Sequence, residues 1–106
     1  MYSLNITDIA EEDILSAARY IANELKAPAA ANNLLDEIEK QEGILESTPN
    51  MYPFVSDDYL AGKGLKFVMI KNYIMFFTVD EDKKTVSVIR FLHSLRDWRS
   101  VLKGTG

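Results

Sequence analysis

The chain's 106 residues, 47% hydrophobic and 26% charged, suffice for one domain with its own core and match the composition of a soluble globular protein. There is no cysteine and one histidine, His93, so disulfides and thiolate metal sites are excluded and no metal or cofactor is expected. No apolar stretch approaches the roughly 18 residues of a membrane span and the N-terminus lacks a signal peptide's basic flank, which makes cytoplasmic residence the expectation.

The chain is read in order from Tyr2–Ile6, where Tyr2, Leu4 and Ile6 alternate as in a short strand. Thr7 or Asp8 then caps a helix over 8–25, with Asp8 and Glu11 at capping-box spacing. Ile14, Ala17, Ala18, Ile21 and Leu25 recur at three- and four-residue steps and form its buried stripe. Lys26-Ala27 breaks the helix, and Pro28 opens a second one that runs to about Glu46. Ala31, Leu34, Leu35, Ile38 and Leu45 point inward there, and the short connection makes the pair an antiparallel hairpin.

Ser47–Lys63, with Pro49, Pro53 and Gly62, reads mostly as loop, held to the core by Tyr52, Phe54 and Tyr59. Gly64–Ile70, Tyr73–Val79 and Thr85–His93 read as strands, joined by tight turns at Lys71-Asn72 and Asp80–Lys84. The middle one, YIMFFTV, is almost wholly apolar, as a strand covered on both faces must be. Arg96–Leu102 closes the chain as a short helix. The order β-α-α-β-β-β-α predicts a single α+β domain over 1–106, an antiparallel sheet packed against an N-terminal helical hairpin.

The net charge of −4 conceals a division. Residues 1–48 carry ten acids and three bases, whereas residues 49–106 carry six acids and nine lysines or arginines. Such asymmetry points to a polar partner surface, although the whole chain is too acidic for a general nucleic-acid binder. The basic groups crowd at Arg90, Arg96 and Arg99, beside His93 and Trp98.

Each of these residues admits a functional and a structural reading. His93 suits general acid–base work because imidazole titrates near neutrality; otherwise it is a sheet-edge histidine bonded to backbone or to Asp97. Arg90 and His93 lie three apart on one strand and start on opposite faces unless a bulge intervenes. Arg90 and Arg96 can converge on one carboxylate or phosphate, unless Arg96 pairs locally with Asp97 or a helix carboxylate. Trp98 is a lid on the core or a platform on which a base could stack. Lys66 is an anion contact or a strand-edge lysine that discourages aggregation, and Tyr73 is packing with its hydroxyl at the rim.

Seven segments in order then resemble the RelE/ParE toxin superfamily of type II toxin–antitoxin systems. They are Thr7–Asp13 with Tyr20-Ile21, Ala27–Ala31, Thr48–Pro53, Gly64–Lys66, Asn72–Phe77, Val79–Glu81, and Val88–His93 with Arg96-Asp97-Trp98. The resemblance implies a toxin that arrests growth and, in plasmids, stabilises their inheritance, neutralised by a cognate antitoxin in a complex such as a heterotetramer. Tyr73 stands where the messenger-RNA nucleases of the RelE-like branch tend to carry arginine, and Lys66 where many relatives do. Together with Arg90…His93…Arg96-Asp97-Trp98, this favours the ParE-like branch, which poisons DNA gyrase without catalysis. Lys66, Tyr73, Arg90, Arg96, Trp98 and Arg99 are then the expected partner-binding residues. Two alternatives are kept: a RelE-like nuclease acting on ribosome-bound messenger RNA, with His93, Arg90 and Arg96 catalytic, and an inactive antitoxin-binding member.

Overall fold

The computed structural model describes residues 1–105. Strand β1 (Ser3–Ile6) leads into helix α1 (Asp8–Arg19), and α2 spans Pro28–Ser47. A 3-10 turn at Pro49–Met51 and a short helix α3 (Asp58–Gly62) precede β2 (Lys66–Ile70), β3 (Tyr73–Asp80), β4 (Thr85–His93) and α4 (Trp98–Thr105). The strands form one sheet in the order β1-β4-β3-β2. The α+β architecture is the expected one.

The sheet is mixed rather than wholly antiparallel, because β1 pairs parallel to β4 while β4, β3 and β2 alternate. The helical hairpin explains this. It returns the chain to its starting end, where the Tyr2 N–H donates to the Glu46 carbonyl at 2.8 Å and the Ser3 N–H to the Lys84 carbonyl at 2.8 Å. β1 and β4 therefore set out from the same end.

Thr7 is the residue that caps α1, accepting from the Ala10 N–H at 3.2 Å. Its own hydroxyl donates to the Ile89 carbonyl at 3.2 Å and its N–H to the Val88 carbonyl at 3.1 Å. That stretch of β4 is a bulge: Phe76 pairs with Arg90 and Phe77 with Val88, leaving Ile89 unopposed. One turn along α1, Asp13 accepts Arg90 Nε at 2.7 Å, Arg90 Nη2 at 3.1 Å and the Phe91 N–H at 3.0 Å. The carboxylate thus satisfies both the guanidinium and a backbone donor of β4 beyond the end of β1.

The expected helix over 8–25 changes type partway. Tyr20–Glu24 is a π turn, closed by the Leu25 N–H on the Tyr20 carbonyl at 3.1 Å. Lys26 then adopts a left-handed φ of 51° and reverses the chain. The wider turn shifts the helical phase, so Leu25, expected inside, is 56% exposed. Leu35 is likewise 38% exposed on the flank of α2, while Ala31, Leu34, Ile38 and Leu45 are buried as expected.

Most of Ser47–Lys63 is irregular, but α3 was not foreseen, because five residues are too few for a helical period to show. Asp57 caps it by accepting the Leu60 N–H at 3.1 Å, and Leu60 is buried. Of the three loop aromatics, only Tyr52 packs on the core, edge-on to Phe77 at 5.7 Å; Phe54 and Tyr59 are over half exposed.

β3 has a separate apolar cluster on each side. Toward α1 and α2 lie Ile14, Leu34, Ile38, Met75, Phe77, Val88 and Phe91, among others. Toward α3 and α4 lie Leu60, Leu65, Ile74, Phe76, Leu92 and Leu102, with Trp98 partly buried against them. Among the described residues, no helix is long and apolar enough to cross a membrane.

At the opposite end of the sheet, Glu81 ties three segments together. It accepts from the Asn50 amide, from Lys84 Nζ at 3.0 Å and from the Tyr2 hydroxyl at 3.0 Å. These hydrogen bonds, Asn50's foremost, pull its pKa from 4.5 down to about 2.

Two predictions come from these contacts. Asp13→Ala is expected to cost about 3 kcal/mol in urea denaturation, because it strands a largely buried guanidinium and the Phe91 N–H; a loss under about 1 kcal/mol contradicts the clamp. Glu81 has a depressed folded pKa, so its contribution is present above pH 4.5 and lost as pH falls toward about 2. Glu81→Gln should flatten stability against pH across that window, and an unchanged slope in an acid titration refutes the assignment.

Candidate partner-binding surface

The second face of the sheet carries most of the exposed cationic groups that the sequence singles out. After β4, the chain turns through Ser94–Asp97, held by the Ser94 N–H on the Asn72 carbonyl at 2.8 Å and the Arg96 N–H on the His93 carbonyl at 3.0 Å. Asp97 then caps α4, accepting the Ser100 hydroxyl at 2.8 Å and the Ser100 N–H at 3.4 Å. Those two bonds, followed by the charges of Arg99 and Lys103, hold its carboxyl below the usual aspartate range.

α4 is tied down along its length. The Trp98 ring lies 5.2 Å from that of Phe76, and the Arg99 guanidinium stacks 4.3 Å above the Trp98 ring. Arg99 also donates to Ser56 Oγ at 2.8 Å. Lys103 reaches Asp57 at 2.8 Å, and that bond, with the Leu60 N–H next, lowers the Asp57 pKa. Between α4, the 53–56 loop and the sheet lies an apolar hollow of about 280 Å³, lined by Phe54, Phe67, Ile74, Phe76 and Trp98. Arg96 is exposed and its guanidinium has no partner among the described residues. An apolar depression with a cation, Arg99, at its edge is equipped to hold an apolar side chain beside a carboxylate.

Two of the expected partner-binding side chains have internal partners. The Arg90 side chain is only 12% exposed, and its guanidinium is taken by Asp13 and does not converge with Arg96. Lys66 is 8% exposed; its ammonium donates to the Tyr52 carbonyl at 2.7 Å and sits 4.0 Å over the Phe54 ring. Both cations have become internal struts because the tertiary fold brings them an acceptor.

His93 and Tyr73 lie together on the helix-facing side. The Tyr73 ring stacks on Phe91 at 5.0 Å and meets His93 edge-on at 5.1 Å. Burial, with the Tyr20 phenol adding to it, raises the Tyr73 pKa and keeps its hydroxyl a donor. His93 Nδ1 accepts the Leu95 N–H at 3.1 Å, the backbone bond foreseen for it. His93, Arg90 and Arg96 thus have three separate environments.

Sequence reasoning missed Asp13 and Ser56. Asp13 had a legible signal: it lies three residues after Ala10 and four before Ala17, within the buried stripe, where a carboxylate demands a partner. Ser56 carried none, since its role depends on where Arg99 lands. Among the described residues, no three His, Asp or Glu side chains gather to hold a metal ion.

Residues 4–98 match the family model described as the ParE toxin of the type II toxin–antitoxin system, parDE. No curated protein matches the sequence. Among solved structures, the chain resembles one from the chromosomal ParDE toxin–antitoxin system of P. aeruginosa, with TM-score 0.69 and 19% identity over 88% of this chain and 96% of that one. It also resembles one from the RelBE2 toxin–antitoxin complex of Mycobacterium tuberculosis, with TM-score 0.61 and 17% identity over 87% and 96%. The isolated E. coli RelE toxin aligns over the full length of both chains with TM-score 0.56 and 13% identity. At such identities these likenesses establish the fold.

The reassignment of Lys66 is testable. Lys66→Ala should cost about 2 kcal/mol, the worth of a charge-assisted hydrogen bond and its packing, and speed amide exchange across residues 52–56. Wild-type stability and exchange in that variant place the ammonium outside the structure's support.

Proposed function

Because the chain belongs to the ParE toxin family of type II toxin–antitoxin systems, we propose that it arrests growth by binding DNA gyrase and is neutralised by a cognate antitoxin. The observation that carries the gyrase reading is the arrangement of basic groups. The Arg96 guanidinium has no partner among the described residues and Arg99 rides on Trp98 beside the apolar hollow, whereas Arg90 is neutralised by Asp13. This favours docking over cleavage of a phosphodiester, which needs cations and a proton-transfer group aimed at one phosphate. Trp98, Arg96 and Arg99 are the contacts assigned to the target, with Tyr73 on the other face assigned to the antitoxin.

The antitoxin would supply a segment that folds as it binds over the hairpin and sheet, giving a complex such as a heterotetramer. The cellular target is reached through protein contacts, so the reaction needs no cofactor.

The test is direct. Purified toxin with gyrase and supercoiled DNA should trap cleaved DNA–gyrase complexes, and Arg96→Ala/Arg99→Ala should weaken the effect at least about tenfold while remaining folded. Codon-register cleavage of message on programmed ribosomes, lost in His93→Ala and Arg96→Ala, would establish the nuclease instead. Antitoxin binding without growth arrest would identify an inactive member.

A further inference from the structure

A second depression lies on the helix side of the sheet, away from α4. This cleft, about 320 Å³, opens between the π turn, the first turns of α2 and the β2–β3 turn. Ile21 and Leu34 form its floor, and the exposed Tyr20 and Leu25 form its lip. The π turn is responsible for that lip, since an uninterrupted α-helix would carry Leu25 inward with the rest of its stripe.

The polar lining has one character. Tyr20, Asn33, Lys71, Asn72, Tyr73 and His93 all present donors, and among the described residues no carboxylate lines the cleft, in a chain with 16 acidic residues. The two phenols, the two amides and the Lys71 ammonium have no side-chain hydrogen-bond partner among the described residues. Because His93 Nδ1 accepts the Leu95 N–H, the neutral imidazole carries its proton on Nε2, leaving a further donor. Lys71 is presented from a two-residue turn with a left-handed φ of 57°, and the Tyr73 ring is braced by Phe91. The turn backbone and the Tyr73 ring are thus set before any ligand arrives.

We propose that this cleft binds an apolar side chain with a carboxylate beside it, as an acidic peptide segment offers, and that the antitoxin supplies it. The occupant rests on the antitoxin reading above; the chemistry of the cleft does not. One ammonium surrounded by neutral donors matches a monoanion, whereas a phosphate dianion calls for paired cations. The apolar floor requires that the anion come attached to a hydrophobic group.

The experiment titrates the full ¹⁵N-labelled chain with N-acetyl-L-phenylalanine and, separately, with its neutral amide. The acid should shift the amide signals of Ala30, Lys71–Tyr73 and His93 and bind at least about fivefold more tightly than the amide, the worth of a charge-assisted hydrogen bond. Tyr73→Phe and Lys71→Asn, the latter chosen because asparagine tolerates a left-handed φ, should each weaken the acid about threefold. Equal binding of acid and amide, shifts confined to the hollow under Trp98, or equal competition by inorganic phosphate overturns the proposal. The occupant is checked with the protein encoded beside this one: a complex unaffected by combining Tyr73→Phe with Lys71→Asn overturns the antitoxin as ligand. If no complex forms with wild type, the antitoxin reading fails, while the titration still decides the cleft.

Discussion

The clamp between α1 and the β4 bulge is the contact on which the rest of the molecule depends. Past the end of β1, β4 has backbone groups with no strand partner on that side, and its bulge leaves Ile89 unpaired. Asp13 and Thr7 meet these groups from one helix, Asp13 accepting from Arg90 and the Phe91 N–H and Thr7 donating to the carbonyls of Val88 and Ile89. The clamp sets the height of the hairpin against the sheet and the phase at which β4 leaves the bulge. Phe91 and His93 consequently face the helices, while Leu92 joins the core beneath α4.

That phase divides the polar chemistry between two surfaces. On the α4 side, Asp97 and Lys103 fix the helix, Trp98 covers the core, Arg99 lies over Trp98, and Arg96 stays exposed. On the hairpin side, Tyr73 and His93 meet Tyr20 and Lys71 around a cleft with a greasy floor. A small toxin-family protein with two such depressions has room for a target and a neutralising partner on different faces. The charge division along the chain belongs to the same arrangement: ten of the sixteen acids precede Pro49, and nine of the twelve lysines and arginines follow Thr48.

Much of this was legible from residue order alone. Alternation in VSVIRFLH, the apolar run of β3, and the stripes of α1 and α2 identify the elements, and the seven family segments place them in one known fold. What failed to appear did so for particular reasons. Leu25 follows helical spacing perfectly well, but one wide turn moved it outside. Lys66 and Arg90 look like surface cations in any linear scan, since nothing local announces Tyr52's carbonyl or Asp13's carboxylate.

Sequence by itself therefore determined the class, the order of elements and the family, because hydrophobic period and turn chemistry are local properties encoded within a few neighbouring residues. Tertiary structure alone decided the parallel placement of β1, the bulge in β4 and which basic side chains stay available. Those outcomes depend on pairings between residues as distant as Asp13 and Arg90, where a charge is either neutralised or left exposed by whatever the fold sets beside it.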